Sequence, residues 1–279
     1  MSLINDPDLS SVLTNADSDD VRVLIDHITD KGDGRISLAS STLALLVAAG
    51  KQAVIDQTAR AIVAEEISRF GGNSLMNMFR LGGGVSYHEV TSDVAEHLGV
   101  TPAAKASVAS IELQILHKLA EQTLTKMSED DKVDFFRHFG MRYAAGSGAA
   151  ASAGMLASIL ASNTASYQLS SLIANGVMKA ILGRGLAAGA GTMAGAAAFV
   201  APVALLVSVL WGLYGLTSAA YRVTVPCVIH IAYMRRRSLA LGHSCGSCGT
   251  PAAAGARFCG NCGSALHPVP EAANAAAGK

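Results

Sequence analysis

The chain has 279 residues and a formal net charge of zero; 51% of its residues are apolar and 15% are charged. Zero net charge excludes a chain-wide attraction to nucleic acid, which would therefore require a local basic patch. Aromatic residues are scarce whereas Ala and Gly are frequent, a mixture that favours closely packed helices over sheets. We therefore expect an all-α protein with a helical bundle as its main body.

Residues 1–142 carry most of the charged side chains and predict a soluble helical domain. The opening MSLINDPDLSSVLTNADSDD is acidic and polar, without the basic stretch and apolar run of a secretory signal peptide. We therefore expect a protein of the cytoplasm or of the cytoplasmic face of the inner membrane. Apolar residues at helical spacing predict helices over residues 21–29, about 41–70 and 87–98.

Capping residues mark two further helix starts. Thr101 before Pro102 predicts a helix that continues to about residue 127, because a hydroxyl caps free amides and proline suits the first turn. Ser128, which is followed by three carboxylates, predicts the start of the next helix.

Residues 89–109 resemble a helix-turn-helix, with Gly99 and Val100 at the position of the turn. The recognition helix of this motif would begin at Pro102 and would offer Lys105 as the one basic side chain of the stretch. One cation is too few to contact phosphates and base edges. We therefore expect no nucleic-acid partner, and a helix-turn-helix binder is the third of our hypotheses.

Residues 143–237 predict an apolar helical hairpin and a following helix, with the hairpin turn near residues 179–184. From Gly185 to Leu216 there is no charged side chain. The first part of this run carries closely spaced glycines, which let helix backbones approach each other: Gly185, Gly189, Gly191 and Gly195. This pattern predicts a glycine zipper between the helices of the hairpin.

The stretch from Ala194 to Tyr214 has the length and apolarity needed to cross a bilayer, which takes about 20 residues. Pro202 is compatible with such a helix, and the rings of Trp211 and Tyr214 suit a membrane interface. Basic residues after the stretch are expected to stay on the cytoplasmic side: Arg222, Arg235, Arg236 and Arg237.

The best-defined motif is CGSCGTPAAAGARFCGNCG, in which two CxxC pairs are formed by Cys245, Cys248, Cys259 and Cys262. Four thiolates around one Zn²⁺ give a closed structural site, so we predict a zinc ribbon over residues 243–267, with Phe258 and Leu266 as its small core. Iron binding and a redox pair are the alternatives. The ribbon could also bind a protein partner, and residues 268–279 predict a disordered tail.

The fifth cysteine, Cys227, stands alone in the apolar stretch VPCVIH. Reactive thiols need a polar, electropositive and partly exposed environment. We therefore predict that Cys227 is a small buried side chain.

The chain has no phosphate-binding loop and no HExxH motif, so we expect a protein that is not an enzyme. Our first hypothesis is a membrane-associated protein whose hairpin inserts conditionally and forms homo-oligomers, in the manner of pore-forming proteins. The alternative is a soluble helical scaffold or an assembly-chaperone-like interaction protein, in which the head wraps the hairpin.

Three stretches resemble the YaaW-like family of uncharacterised bacterial proteins: LIDHITDKGDGRISL, EEISRFGGNSLMNMFRLGGGVSYHEVTSDVAEHLGV and AYRVTVPCVIHIAYMRR. The family is grouped distantly with ubiquinol-cytochrome c assembly chaperones. The resemblance implies a helical interaction module and supplies no catalytic residues. The cysteine motif lies outside it and looks like an appended segment.

Overall fold

The computed structural model describes residues 3–72, 84–183 and 220–241, together with positions 245, 247, 257–259 and 262–266 of the C-terminal part. Ten helices occur in this described part: α1 (Pro7–Leu13), α2 (Ser18–Thr29), α3 (Ser40–Gly50), α4 (Gln57–Gly72), α5 (Tyr87–His97), α6 (Val108–Lys126), α7 (Glu129–His138), α8 (Gly148–Ala161), α9 (Asn163–Leu182) and α10 (Tyr221–Leu241). The all-α prediction is confirmed. No strand forms among these residues, although one isolated antiparallel bridge joins Phe258 and Ala265.

Side-chain caps set the starts of several helices. The carboxylate of Asp6 accepts 3.0 Å hydrogen bonds from the amides of Asp8 and Leu9 at the start of α1. Ser86 caps α5, and Ser128 forms a capping box with Asp131 at the start of α7. These bonds satisfy amides that have no partner within their own helix. The helix starts predicted near residue 87 and at Ser128 are confirmed.

The single helix predicted over residues 41–70 is wrong, because the structure divides it into α3 and α4. Arg22 of α2 donates to the carbonyl of Gly50 at 2.7 Å and to that of Gln52 at 2.8 Å, which holds the chain outside a helix. Asp56 then caps α4 by accepting a 2.8 Å bond from the amide of Ala59. A tertiary contact from Arg22 therefore decides a boundary that apolar spacing alone does not reveal.

The helix start predicted at Pro102 is also wrong. The cap is Ser107, whose hydroxyl accepts a 3.3 Å bond from the amide of Ser110, and α6 begins at Val108. The connection from α5 to α6 is therefore residues 98–107. A helix-turn-helix uses a turn of about 3–4 residues, so this connection does not fit that motif.

Helix α10 lies at the centre of the bundle. Every residue from Val223 to Arg236 is buried, and the helix packs most extensively on α9 and also contacts α6, α2, α4 and α5. Fully burying one Val, Leu or Ile contributes about 1.5–3 kcal/mol relative to exposure, so this helix is a main source of stability. Cys227 has no exposed surface, which confirms its prediction as a buried side chain.

The buried apolar side chains form one large cluster that crosses the predicted boundary at residue 142. It contains Phe136 from α7, Leu156 from α8 and Val228 from α10. The described parts of residues 1–142 and 143–237 therefore share one hydrophobic core.

None of the helices within the described ranges combines the length and the apolarity that crossing a bilayer requires. The predicted span over residues 194–214 lies outside those ranges, as does the tail over residues 268–279. The same holds for the residues proposed for the glycine zipper and the membrane interface: Gly185, Gly189, Gly191, Gly195, Pro202, Trp211 and Tyr214.

Candidate functional site

Three of the four predicted metal ligands converge in the C-terminal part of the chain. The Sγ atoms of Cys245, Cys259 and Cys262 all lie within 4.8 Å of one another. Cys245 and Cys259 are buried, and Cys262 is exposed. In the part of the chain that the structure describes, no other group of His, Cys, Asp or Glu side chains meets this condition for holding a metal ion. Cys248 lies outside that part.

A tight turn brings Cys259 and Cys262 together. The amide of Gly263 donates to the carbonyl of Cys259 at 2.9 Å, and the amide of Cys259 donates to the carbonyl of Ser264 at 2.8 Å. Gly263 has a φ of 71°, a left-handed conformation that glycine adopts without the steric cost of a Cβ. The glycine after the second cysteine of the pair is thus required by the turn.

The distances between the sulfur atoms fit a metal better than a disulfide. Cys245 Sγ and Cys262 Sγ are 3.4 Å apart, well beyond the ~2.05 Å of a disulfide bond. Two thiolates on a tetrahedral Zn²⁺, each about 2.3 Å from the metal, lie about 3.8 Å apart. The three thiols therefore lie close enough to bind a metal ion, and an all-sulfur set favours soft or borderline metals.

The small apolar core around these cysteines differs in one residue from the prediction. Leu266 is buried with Cys245 and Cys259, as expected. Phe258 is 64% exposed, so its ring does not contribute to this core. The bridge between Phe258 and Ala265 fixes the backbone there and leaves the ring directed outward.

A second candidate region is the run of basic residues in α10. Arg235 donates from Nε to Glu112 Oε2 at 2.7 Å, and Tyr87 Oη donates to Glu112 Oε1 at 3.1 Å. Arg235 also donates to Ser11 Oγ at 3.1 Å and to the carbonyl of Asp8 at 3.2 Å. This network ties α10 to α6, α5 and α1 within the core.

Burial and charge act in opposite directions on the Arg235–Glu112 pair. Burial alone lowers the pKa of Arg235, but the Glu112 carboxylate outweighs it and leaves the pKa above its ordinary value. Burial, followed by the neighbouring Glu112 charge, raises the pKa of Tyr87 well above its ordinary value. Arg235 therefore stays charged and Tyr87 stays a hydrogen-bond donor.

Two of the arginines expected to flank a membrane span are instead enclosed in the bundle. Arg235 and Arg236 are only 7% and 9% exposed, so their charges are not presented to solvent, and the side of a membrane on which they lie stays a prediction. Arg237 is partly buried and pairs with Asp17 at 2.5 Å and Asp20 at 2.8 Å. Arg222, at the start of α10, is exposed.

Sequence reasoning missed the polar groups that face α10. Glu112 on α6 and Asp20 on α2 are 1% and 5% exposed, and each pairs with an arginine of α10. His27 and His230, each 1% exposed, lie in the interface between α2 and α10. Their partners are distant along the chain, so no local motif marks them. The one available signal is the presence of charged residues in otherwise apolar helical faces.

The chain is similar to curated bacterial proteins. It is 31% identical over 179 residues to a UPF0174 protein of Helicobacter pylori, an alignment that covers 63% of this chain and 70% of the relative. A second H. pylori UPF0174 protein is 29% identical, with 87% of its length covered. UPF0174 protein YaaW of Escherichia coli is 27% identical, with 70% covered. No family model and no solved structure matches the chain.

Proposed function

This chain belongs to the UPF0174 family, and from that premise we propose that it is a non-enzymatic, membrane-associated helical protein. In this proposal the bundle folds around α10, and the apolar run from Gly185 to Leu216 enters a bilayer conditionally. The glycines at its start then mediate oligomerisation, and a structural zinc ion organises the cysteine segment.

The observation that carries the proposal is the position of the apolar run in the chain. It contains no charged side chain, and about 20 apolar residues suffice to span a membrane. It lies between α9, which ends at Leu182, and α10, which begins at Tyr221, and these two helices pack against each other in the core. The run is therefore joined at both ends to helices of the core, as we expect for a segment that inserts while the bundle stays folded.

Zinc is the metal that the set of cysteine thiols supports best. Three thiolates come from Cys245, Cys259 and Cys262, and we assign Cys248 as the fourth because it completes the first CxxC pair. A four-thiolate site leaves no open position for a substrate, so the ion would stabilise this segment and supply no catalysis.

The proposal is tested by flotation of the purified full-length protein with vesicles of mixed neutral and anionic phospholipids. We expect the protein to float with the vesicles and Leu206→Arg to reduce the bound fraction by at least tenfold. A charge at the centre of a span costs about 2.5–3.5 kcal/mol. Ala153→Arg is the matched control, because it adds the same charge on the exposed face of α8.

Absence of flotation by the wild-type protein would contradict the proposal. Equal flotation of the wild type and Leu206→Arg would show that the apolar run does not mediate membrane binding.

Oligomerisation is tested separately by dye leakage from the same vesicles. We expect the double variant Gly191→Leu/Gly195→Leu to bind vesicles and to lose leakage, because leucine prevents close approach of helix backbones. Unchanged leakage would argue against a glycine zipper.

A soluble scaffold or assembly-chaperone-like protein is the second candidate function, and one observation favours it. Helix α8 exposes a charge-free face of small side chains that includes Ala150, Ala153, Gly154 and Ala157. In α3, Leu45 is 58% exposed. Exposed apolar faces of this kind occur where proteins contact partners. If this candidate is correct, we expect Ala153→Arg, rather than Leu206→Arg, to abolish binding of the protein partner.

A further inference from the structure

Two histidines are enclosed where α2 packs on α10. His27 of α2 and His230 of α10 are each 1% exposed, although both side chains are polar on two sides of the ring. The helices that carry them pack directly on each other, and α10 also packs on α9. Neither histidine belongs to the cysteine cluster or to the network around Arg235.

All four ring nitrogens of these histidines lack a hydrogen-bond partner within the described part of the chain. A neutral imidazole offers one donor and one acceptor, whereas an imidazolium must place two N–H groups. Burying an unpaired charge costs far more than burying a neutral ring. The interface therefore tolerates neutral histidines and resists protonated ones.

The groups that face the two rings do not compensate a charge on His27. Arg35 donates from Nη2 to the backbone carbonyl of His27 at 3.0 Å, which places a cation beside His27, and the carboxylate of Asp30 is taken up by this guanidinium at 3.5 Å. Asp20 Oδ1 lies 3.5 Å from His230 Nε2, but Asp20 Oδ2 is already bonded to Arg237 at 2.8 Å. The carboxylate of Asp20 thus pairs with groups of α10.

The other helices packed here bring no counter-charge to His27. Helix α3 carries no ionisable side chain, and α9 contributes Tyr167 and the exposed Lys179. The buried charged side chains of α4 and α6 are engaged elsewhere: Arg60 with backbone carbonyls, Glu66 with Arg69, and Glu112 with Arg235. On α10 itself, Tyr233 and Cys227 are uncharged at neutral pH, because burial raises the pKa of both groups.

The electrostatic consequence agrees with this geometry. Burial, followed by the charges of His230 and Arg35, lowers the pKa of His27 from 6.5 to about 3. The folded state therefore keeps His27 neutral, whereas an opened state exposes a histidine with a pKa near 6.5. Because the opened state binds the additional proton, stability is complete above pH 6.5 and is lost progressively as the pH falls toward 3.

We propose that the interface between α2 and α10 is an acid-sensitive joint in which protonation of His27 drives the two helices apart. The proposal goes beyond membrane association and stands without it. If the protein does enter membranes, acid would favour that step by releasing α10 from the bundle. The two ideas fail separately, because opening of the joint is measured without lipid.

Cys227 reports the opening directly. It lies three residues before His230 on α10 and is fully buried, so a thiol reagent reaches it only when α10 separates from its neighbours. The full-length protein is pulsed with 4,4′-dithiodipyridine at pH 7.5 and 5.0, and modified peptides are quantified by mass spectrometry. Rates are divided by those of the urea-unfolded chain at each pH. We expect the normalised labelling rate of Cys227 to increase about 30-fold from pH 7.5 to pH 5.0, because the opened state binds the proton on His27.

The variant His27→Leu distinguishes the contribution of His27 to the acid response from that of the carboxylates, which acid also protonates. We expect its increase in labelling to fall below about threefold, because leucine stays neutral at both pH values. His88→Gln is the control, since His88 is exposed and bonds the carbonyl of Ala106, and it should keep the full increase. A flat response in the wild type, or an unchanged one in His27→Leu, would overturn the proposal.

A second measurement decides the matter if His27→Leu does not fold. Hydrogen–deuterium exchange at the imidazole C2 position of the wild-type protein reports the pKa of each histidine in place. We expect His27 to show no titration between pH 5 and 8 in the folded protein. Titration of His27 near its ordinary pKa in the folded protein would contradict the proposal that His27 makes this interface acid-sensitive.

Discussion

Helix α10 and the cysteine segment are neighbours in the chain but are stabilised in different ways. Helix α10 ends at Leu241, contacts six other helices and places Arg235 against Glu112 inside a large apolar core. The cysteine segment begins at Cys245, and the buried cluster described there consists of Cys245, Cys259 and Leu266. The first region is stabilised by apolar burial against its neighbouring helices, whereas for the second we expect a bound metal to supply the stability that so small a cluster lacks.

The largest expected effect concerns the buried pair in the bundle. Glu112→Gln leaves the charge of Arg235 without a counter-charge in the core, which should lower the free energy of unfolding by about 3–5 kcal/mol. Urea denaturation measures this change. Glu121→Gln on the same helix is the control. Its pair with Lys118 is exposed, so the loss should be below about 1 kcal/mol. Equal losses would mean that burial does not distinguish the two pairs.

Loss of one cysteine should affect the cysteine segment and leave the bundle folded. Cys259→Ser should abolish binding of zinc, measured by metal analysis of the purified protein, because three thiolates hold the ion less well than four. The unfolding midpoint of the bundle should stay within about 2 °C of the wild type, since a change below 1 kcal/mol shifts it by no more than a few degrees. Ser247→Ala, between the cysteines, should retain the metal. Unfolding of the bundle in Cys259→Ser would show that the two regions are not independent.

A third and smaller effect concerns an exposed junction that uses neither burial nor metal. Glu129 accepts hydrogen bonds from Lys132 and the amide of Gly146, both at 2.6 Å, and from Tyr143 at 3.0 Å. The Lys132 bond, followed by that of Gly146, lowers the pKa of Glu129 from 4.5 to about 2. The stabilisation is therefore complete above pH 4.5 and is lost as the pH falls toward 2.

Glu129→Gln should accordingly reduce stability at pH 7 by less than Glu112→Gln does. Thermal unfolding of this variant and the wild type should converge as the pH approaches 2, where the wild-type carboxylate is protonated. A difference that stays constant down to pH 2 would assign the effect to shape rather than to charge.

Local signals in the sequence predicted the elements whose determinants are local. The Ser128 cap with its three carboxylates, and the paired cysteines, needed only a few adjacent residues. The division between α3 and α4 could not be predicted, because Arg22 of another helix holds the carbonyl of Gly50. Thr101 and Pro102 are suitable capping residues, yet the structure uses Ser107.

The same reason explains why the burial of the basic residues of α10 could not be predicted. A row of three arginines beside an apolar run is typical of a membrane flank. Arg235 pairs with Glu112, and Arg237 pairs with Asp17 and Asp20; these partners lie more than 100 residues away in the chain, and no local pattern connects them. His27 and His230 were missed because an isolated histidine in an apolar helix carries no motif. Burial alone identified them as a pair.

Membrane association of the full-length protein is the central claim, and alkaline carbonate extraction of membranes from cells that express it tests that claim most directly. We expect a fraction of the protein to stay in the membrane pellet with an integral marker, and we expect Leu206→Arg to shift that fraction to the supernatant. Ala153→Arg should behave as the wild type does. Complete recovery of the wild-type protein in the supernatant, whether the membranes were held at neutral or at acidic pH before the extraction, would contradict the account.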